Sequence, residues 1–180
     1  MNTNNTPKEI NDAVIDFCKS ITQDSIPEYV PLRPESWCIE NECYDNVMRR
    51  VKHSGGKVQL GWRIQVVPDP WPKFMIEAVH HAIWVSMTGN KIDITPQSHS
   101  AKNIVFLSDD STKLGKYRIG EKYYALFNCP LVHEYVRLCN LESAEYVSHT
   151  KLIKQPKIPS ELSMKQRELF IQIICKHNGR

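Results

Sequence analysis

The sequence predicts an α+β fold, and three observations lead to this prediction. Apolar residues recur at helical spacing in segments near both ends of the chain. In the middle, Ile76 to Met87 is rich in apolar and β-branched residues, and Lys91 to Thr95 repeats this pattern after a short turn, which is typical of a β-hairpin. A further helix, with a cysteine in its first turn, is predicted ahead of that hairpin.

With 180 residues the chain is long enough for one domain with a real core. We expect a disordered polar tail at residues 1–6 and a main domain at residues 7–150. A basic, proline-containing linker and a C-terminal helix follow at residues 151–180, and we expect this helix to pack on the same domain.

The remaining elements follow from local patterns. Thr6 and Pro7 are expected to cap and start a helix that runs to Ile21. Residues 26–40 contain three prolines and predict an extended loop. Other predicted elements are strands at 58–67 and 103–107, a stiff connection at 68–72 that could form a cleft wall, an ambiguous segment at 117–126, and helices at 130–148 and 160–176.

Composition excludes several classes of protein. A net charge of +3, without a dense Lys/Arg run, argues against a nucleic-acid partner. No apolar stretch approaches the ~20 residues of a membrane span, and the start of the chain does not resemble a secretory signal. The six cysteines show no CxxC spacing, as is typical of reduced thiols. The expected location is therefore the cytoplasm, with no cofactor and no membrane partner.

Side-chain parity in the hairpin places a histidine beside an aspartate. If the loop is Met87-Thr88-Gly89, with Gly89 in a left-handed conformation, then His81 and Asp93 lie diagonally on one face of the two strands. The pairs in this register are Ser86 with Asn90, Ile83 with Asp93 and His81 with Thr95. His80 then points to the other face and is expected to be a bystander, although a slip of one residue would exchange the two histidines.

A histidine oriented by an aspartate is half of a nucleophilic unit, and Cys43 is the best candidate for the other half. Asn41 is expected to cap the helix that begins near Cys43 and that Gly55-Gly56 ends. Free backbone N–H groups and the helix dipole favour a thiolate in the first turn. Glu42 and Asp45 oppose this effect, so a nearby imidazolium is needed.

These residues occur in an order that resembles the transglutaminase-like branch of the papain-like cysteine enzymes. The shared features are a helix-borne Cys, Gly-Gly, a strand with Gly61-Trp62, then His-Ala-x-Trp and Asp-x-Thr-Pro. The resemblance covers Cys43 to Pro96. It implies a papain-like core in which the Cys-bearing helix packs on an antiparallel sheet, with Cys43 as nucleophile, His81 as base and Asp93 as its orienting residue.

The resemblance also bears on two tryptophans. In papain-like enzymes a glutamine about six residues before the cysteine helps to form the oxyanion hole, and that place is taken here by Trp37. Some transglutaminase-like enzymes use a tryptophan indole for this purpose, so Trp37 is an oxyanion candidate, with a packing role as the alternative. The family commonly has His-x-Trp, whereas Trp84 lies three residues after His81, on the opposite strand face.

The resulting hypothesis is thiol-dependent hydrolysis or acyl transfer at an amide, of the protease, deamidase or transglutaminase type. The substrate would be a protein, a peptide or a small amide. The alternative is an inactive binding module on the same fold. A zinc site made by Cys43, a histidine and Asp93 is disfavoured, because no ligand pair has the short spacing of structural zinc motifs.

Overall fold

A computed structural model describes residues 5–67, 73–97, 101–113, 119–149 and 160–177. The predicted tail at 1–6 and the predicted linker after residue 150 fall largely outside these ranges, and the predicted connection at 68–72 falls entirely outside them. The described residues form four helices and six strands. The helices are α1 (Asp12–Ile21), α2 (Cys43–Ser54), α3 (Pro130–His149) and α4 (Ser160–His177). The strands are β1 (Glu28–Pro31), β2 (Lys57–Val67), β3 (Met75–Val85), β4 (Lys91–Ile92), β5 (Asn103–Ser108) and β6 (Lys122–Ala125).

The fold is thus of the α+β class, and the strands pair antiparallel. The chain divides into two compact units. Unit 1 comprises Met1–Gln65 and His80–Lys113, and unit 2 comprises Val66–Val79 and Leu114–Arg180. The strand β3 runs through both units, so its first five residues belong to unit 2 and the remainder to unit 1.

The sheet of unit 1 nearly closes on itself. Its strand order is β1-β5-β2-β3-β4, and a parallel bridge from Leu32 to Asp93 brings the end of β1 to the end of β4. Apolar side chains cover both faces of the sheet. Ile83 of β3 packs on one face with Val30, Ile104 and Phe106. On the other face, Ala82 and Trp84 pack with three further residues, Cys43, Val47 and Ile94.

Unit 2 has its own apolar core between α3, α4 and the start of β3. Phe74, Met75 and Ile173 are among its buried members, and β6 pairs with residues Met75 to Ala78 of β3. The predicted helices at 130–148 and 160–176 are confirmed by α3 and α4. The segment left ambiguous at 117–126 contains the strand β6, and residues 114–118 lie outside the described part of the chain.

Two predictions about the first forty residues were wrong. The helix α1 begins at Asp12 and not at Pro7, because the Asn11 side chain accepts the Val14 N–H at 3.2 Å and so caps it. The Thr6 hydroxyl instead donates to the Asn103 carbonyl at 3.1 Å. The segment predicted as a loop contains β1, whose stability comes from pairing with β5 and therefore leaves little signal in a local pattern.

Candidate active site

Cys43 is the first residue of α2, as predicted, but Asn41 does not cap this helix. Asn41 adopts a left-handed conformation with φ of 66°, and Glu42 occupies the N-cap position without a side-chain hydrogen bond to the helix. The first helical hydrogen bond runs from the Asn46 N–H to the Glu42 carbonyl, at 2.9 Å. The N–H groups of the first turn, that of Cys43 included, are therefore not satisfied by a capping side chain or by the helix itself.

Asn46, one turn into α2, connects the helix to both segments that flank the site. It is 4% exposed, and its side-chain amide exchanges two hydrogen bonds with the Ile39 backbone, at 3.0 and 2.8 Å. Its Nδ2 also reaches Thr95 Oγ1 at 3.3 Å. The sequence argument missed Asn46, because an asparagine inside a helix has no local feature that reveals such distant partners.

The predicted hairpin register is confirmed. Trp84 pairs with Ile92 and Val85 with Lys91, which is the register that sets His81 opposite Thr95. Gly89 has φ of 86°, as the turn requires. β4 is shorter than predicted, because Asp93 leaves the hairpin to bridge Leu32. The parity argument therefore assigns His81, and not His80, to the Asp93 side.

His81 links the other two predicted site residues. Its Nε2 lies 3.0 Å from Asp93 Oδ2, and the Cys43 sulfur lies near enough to the ring to affect its pKa. Burial alone would lower the pKa of His81, but the Asp93 carboxylate and the Cys43 sulfur outweigh this effect and raise that pKa to about 9. The structure thus brings Cys43, His81 and Asp93 together, and the raised pKa of His81 favours the charged form of its imidazole.

Asp93 is completely buried, and hydrogen bonds fix both its side chain and its backbone. Its Oδ1 accepts the Thr95 N–H at 3.0 Å, in the turn ahead of Pro96. Gln97 Nε2 approaches Oδ2 at 3.5 Å, and the Arg63 guanidinium in turn donates to the Gln97 side chain. The backbone of Asp93 is also bonded to the end of β1. Its N–H donates to the Pro31 carbonyl at 3.0 Å, and its carbonyl accepts the Arg33 N–H at 2.8 Å. A carboxylate fixed in this way can hold one orientation of the imidazole.

Trp37 lies close to Cys43 but also makes a packing contact with Arg49. It packs against the apolar cluster that contains Cys43, and the Arg49 guanidinium lies 4.8 Å from its ring centroid. It also lines a cavity of about 190 Å³ together with Arg49, Arg50 and His53. The packing role is therefore present, and the role of oxyanion donor remains a prediction.

Trp84 contacts α2 along its length, since it packs in the apolar cluster that contains Cys43 and also bonds the end of the helix. Its indole N–H donates to the Gly55 carbonyl at 3.0 Å, and Arg50 lies 4.5 Å from its ring centroid. These contacts attach the C-terminal end of α2 to β3. This agrees with the parity argument, which places Trp84 on the face away from His81.

His80 has the opposite parity to His81, as predicted, but the face on which it lies is buried and not an outer one. His80 is 5% exposed, and its ring nitrogens lie 2.7 Å from Tyr44 Oη and 2.9 Å from Thr112 Oγ1. The Trp62 ring contacts it edge-on, with 5.1 Å between ring centroids. Parity separated the two histidines correctly, but α2 and the segment after β5 cover the face on which His80 lies.

The grouping of thiol, imidazole and carboxylate can perform nucleophilic and acid–base chemistry. Within the described ranges, no three His, Cys, Asp or Glu side chains are grouped as ligands for a metal ion, and no helix there is long and apolar enough to cross a membrane. No protein-family model, curated protein or solved structure matches this chain.

Proposed function

We propose that this protein is a cysteine-dependent enzyme that attacks an amide carbonyl, built on a papain-like core of the transglutaminase-like branch. One observation carries the proposal: the imidazole of His81 bonds a buried carboxylate through Nε2 and lies beside a thiol in the first turn of a helix. A structural cysteine has no need of such a partner. An ionised thiol nucleophile does, because an adjacent imidazolium stabilises the thiolate.

The reaction would proceed through a thioester. The Cys43 thiolate attacks the amide carbonyl, and the His81 imidazolium gives its proton to the departing amine as the carbon–nitrogen bond breaks. Neutral His81 then takes a proton from water or from a second amine, which attacks the thioester and releases Cys43. Water as the acceptor gives protease or deamidase activity, and an amine gives transglutamination. Asp93 keeps the imidazole oriented and stabilises its charged form in both steps.

The oxyanion formed in each step requires hydrogen-bond donors. The N–H of Cys43 is the first, since it lies ahead of the first hydrogen bond of α2. The indole of Trp37 is the proposed second. The substrate is a protein, a peptide or a small amide, and the proposed location is the cytoplasm.

One feature favours the alternative, an inactive binding module. Cys43 is only 6% exposed and belongs to an apolar cluster with Val47 and Ala82. Free cysteines are commonly buried in such clusters for packing alone. The two functions therefore predict different effects of Cys43→Ala. An enzyme should lose its activity, whereas a module in which Cys43 only packs should lose stability.

An activity-based thiol probe with an amide recognition element tests the proposal. We expect one adduct per wild-type chain, absent from Cys43→Ala. With an amide substrate, Cys43→Ala and His81→Gln should each abolish turnover, and the double variant should lose little more, because the two residues act as one unit. The melting temperature of Cys43→Ala should change little. An unlabelled wild-type protein, together with a Cys43→Ala variant that melts several degrees lower, would favour the packing role.

A further inference from the structure

We propose that His80 is a positioning residue, which anchors the first turn of α2 through Tyr44 and so holds Cys43 against His81. This inference rests on the proposed function. It starts from a feature of that turn: two consecutive α2 residues contact two consecutive β3 residues. Cys43 lies beside His81, and Tyr44 bonds His80.

The hydrogen bonds around His80 determine which of its nitrogens carries the proton. The Thr112 hydroxyl donates its only proton to the Asp109 carbonyl, at 3.0 Å. The contact of 2.9 Å between Thr112 Oγ1 and His80 Nε2 must then use a proton on Nε2. In a neutral imidazole Nδ1 is therefore an acceptor, and the Tyr44 hydroxyl, 2.7 Å away, donates to it. The Tyr44 oxygen also lies 3.2 Å from the His80 carbonyl.

The surroundings of His80 keep it neutral. Burial lowers its pKa to about 4, an effect that the nearby His81 reinforces and Asp109 opposes. Protonated His80 would carry a hydrogen on Nδ1 and could no longer accept the Tyr44 hydroxyl. The two adjacent histidines therefore have opposite states at neutral pH, charged at 81 and neutral at 80.

The segment after β5 is itself fixed, so the anchor is rigid. Asp109 accepts the Trp62 indole N–H at 2.8 Å through Oδ2, and the Ser111 hydroxyl at 2.6 Å through Oδ1. These bonds hold the turn that carries Thr112 against β2. The Gly61-Trp62 motif thus contributes to the site indirectly, since Trp62 supports the turn to which His80 is bonded.

The pH profile of Cys43 alkylation by iodoacetamide, followed by mass spectrometry, tests the anchor. In Tyr44→Phe and Thr112→Val we expect the half-maximal rate to move to a more alkaline pH, because the thiol is no longer held against the imidazolium. Thr112→Ser keeps the hydroxyl and should retain the wild-type midpoint. Tyr29→Phe removes another phenol of unit 1, which donates to the Pro7 carbonyl, and should also have no effect.

The outcomes separate this inference from the proposed function. If the wild-type Cys43 profile matches that of an ordinary thiol, the proposed function fails and the inference fails with it. If that profile is shifted to acid and Tyr44→Phe leaves it in place, or changes the rate equally at every pH, only the positioning role of His80 is overturned. Nitrogen-15 NMR adds an independent check: at neutral pH His80 should carry its proton on Nε2, and a proton on Nδ1 contradicts the anchor.

Discussion

At the scale of single residues, the six cysteines of the chain differ in their surroundings, and only some of these surroundings favour a reactive thiol. Burial raises the pKa of Cys18 and of Cys139 to about 12, and it also raises the pKa of Cys38. Cys129 differs: burial opposes ionisation, but the backbone N–H groups of the first turn of α3 and the Lys176 ammonium together lower its pKa. Cys43 has the imidazolium of His81 beside it.

We therefore expect Cys43 to be alkylated by limiting iodoacetamide at neutral pH faster than each of the other five cysteines. Cys129 is the strictest comparison, because it also lies at a helix start and near a cation. His81→Gln should slow the labelling of Cys43 and leave that of Cys129 unchanged. Peptide mapping measures both thiols in one sample. Equal or slower labelling of Cys43 in the wild-type protein would contradict an activated thiolate.

At the scale of elements, α2 is attached to β3 at both of its ends. Near the N-terminus, Tyr44 bonds His80 and Asn46 bonds Thr95. Cys43 lies beside His81 in the same turn. At the C-terminus, Gly56 lies against the end of β3. A Cβ atom on Gly56 would approach the Val85 carbonyl oxygen to 2.2 Å and the Trp84 indole nitrogen to 2.8 Å. The close approach of these two elements therefore requires glycine.

Gly56 and Gly89 allow the effect of this close approach to be distinguished from the effect of backbone strain. Gly56 and Gly89 both have φ of 86°, but a Cβ on Gly89 would meet no atom within 4 Å. Gly89→Ala should cost about 1–2 kcal/mol, the price of a left-handed conformation in an L-residue. Gly56→Ala should cost clearly more, because β3 must also move. Urea unfolding of the two variants gives both values, and equal losses of stability would show that α2 and β3 do not meet as described.

At the scale of the whole molecule, the two adjacent histidines make stability depend on pH in opposite directions. The pKa of His81 is raised to about 9, so the stability it contributes is complete below its ordinary pKa of 6.5 and is lost as pH rises through about 9. The pKa of His80 is lowered to about 4, so its contribution is complete above 6.5 and is lost as pH falls through about 4.

We expect the melting temperature to be highest between these two ranges. His81→Gln should flatten the decline on the alkaline side, and His80→Gln the decline on the acid side, although each variant is less stable at its maximum. His53→Gln, at an exposed position of α2, is the control and should leave the acid and the alkaline decline of the melting temperature unchanged. Scanning calorimetry from pH 4 to about pH 9 measures both declines. An alkaline decline that persists in His81→Gln would mean that another group causes it.

The sequence alone determined the features that depend on neighbouring residues. The strand patterns on either side of Gly89 predicted the hairpin register, and with it the choice of His81 over His80, because side-chain direction alternates along a strand. The position of Cys43 at the start of α2 followed from helical spacing and from Gly55 at the helix end. The catalytic role of these residues stays a prediction.

Only the tertiary structure decided what depends on distant partners. β1 is a strand because β5 pairs with it, and Asp93 ends β4 early because it bridges Leu32. Asn46 and Thr112 gained their roles in the same way, through bonds to residues far along the chain. His80 has the parity of an outward-facing residue, yet α2 and the turn after β5 bury it. Local patterns give the direction of a side chain, and the packing of other elements decides what it meets there.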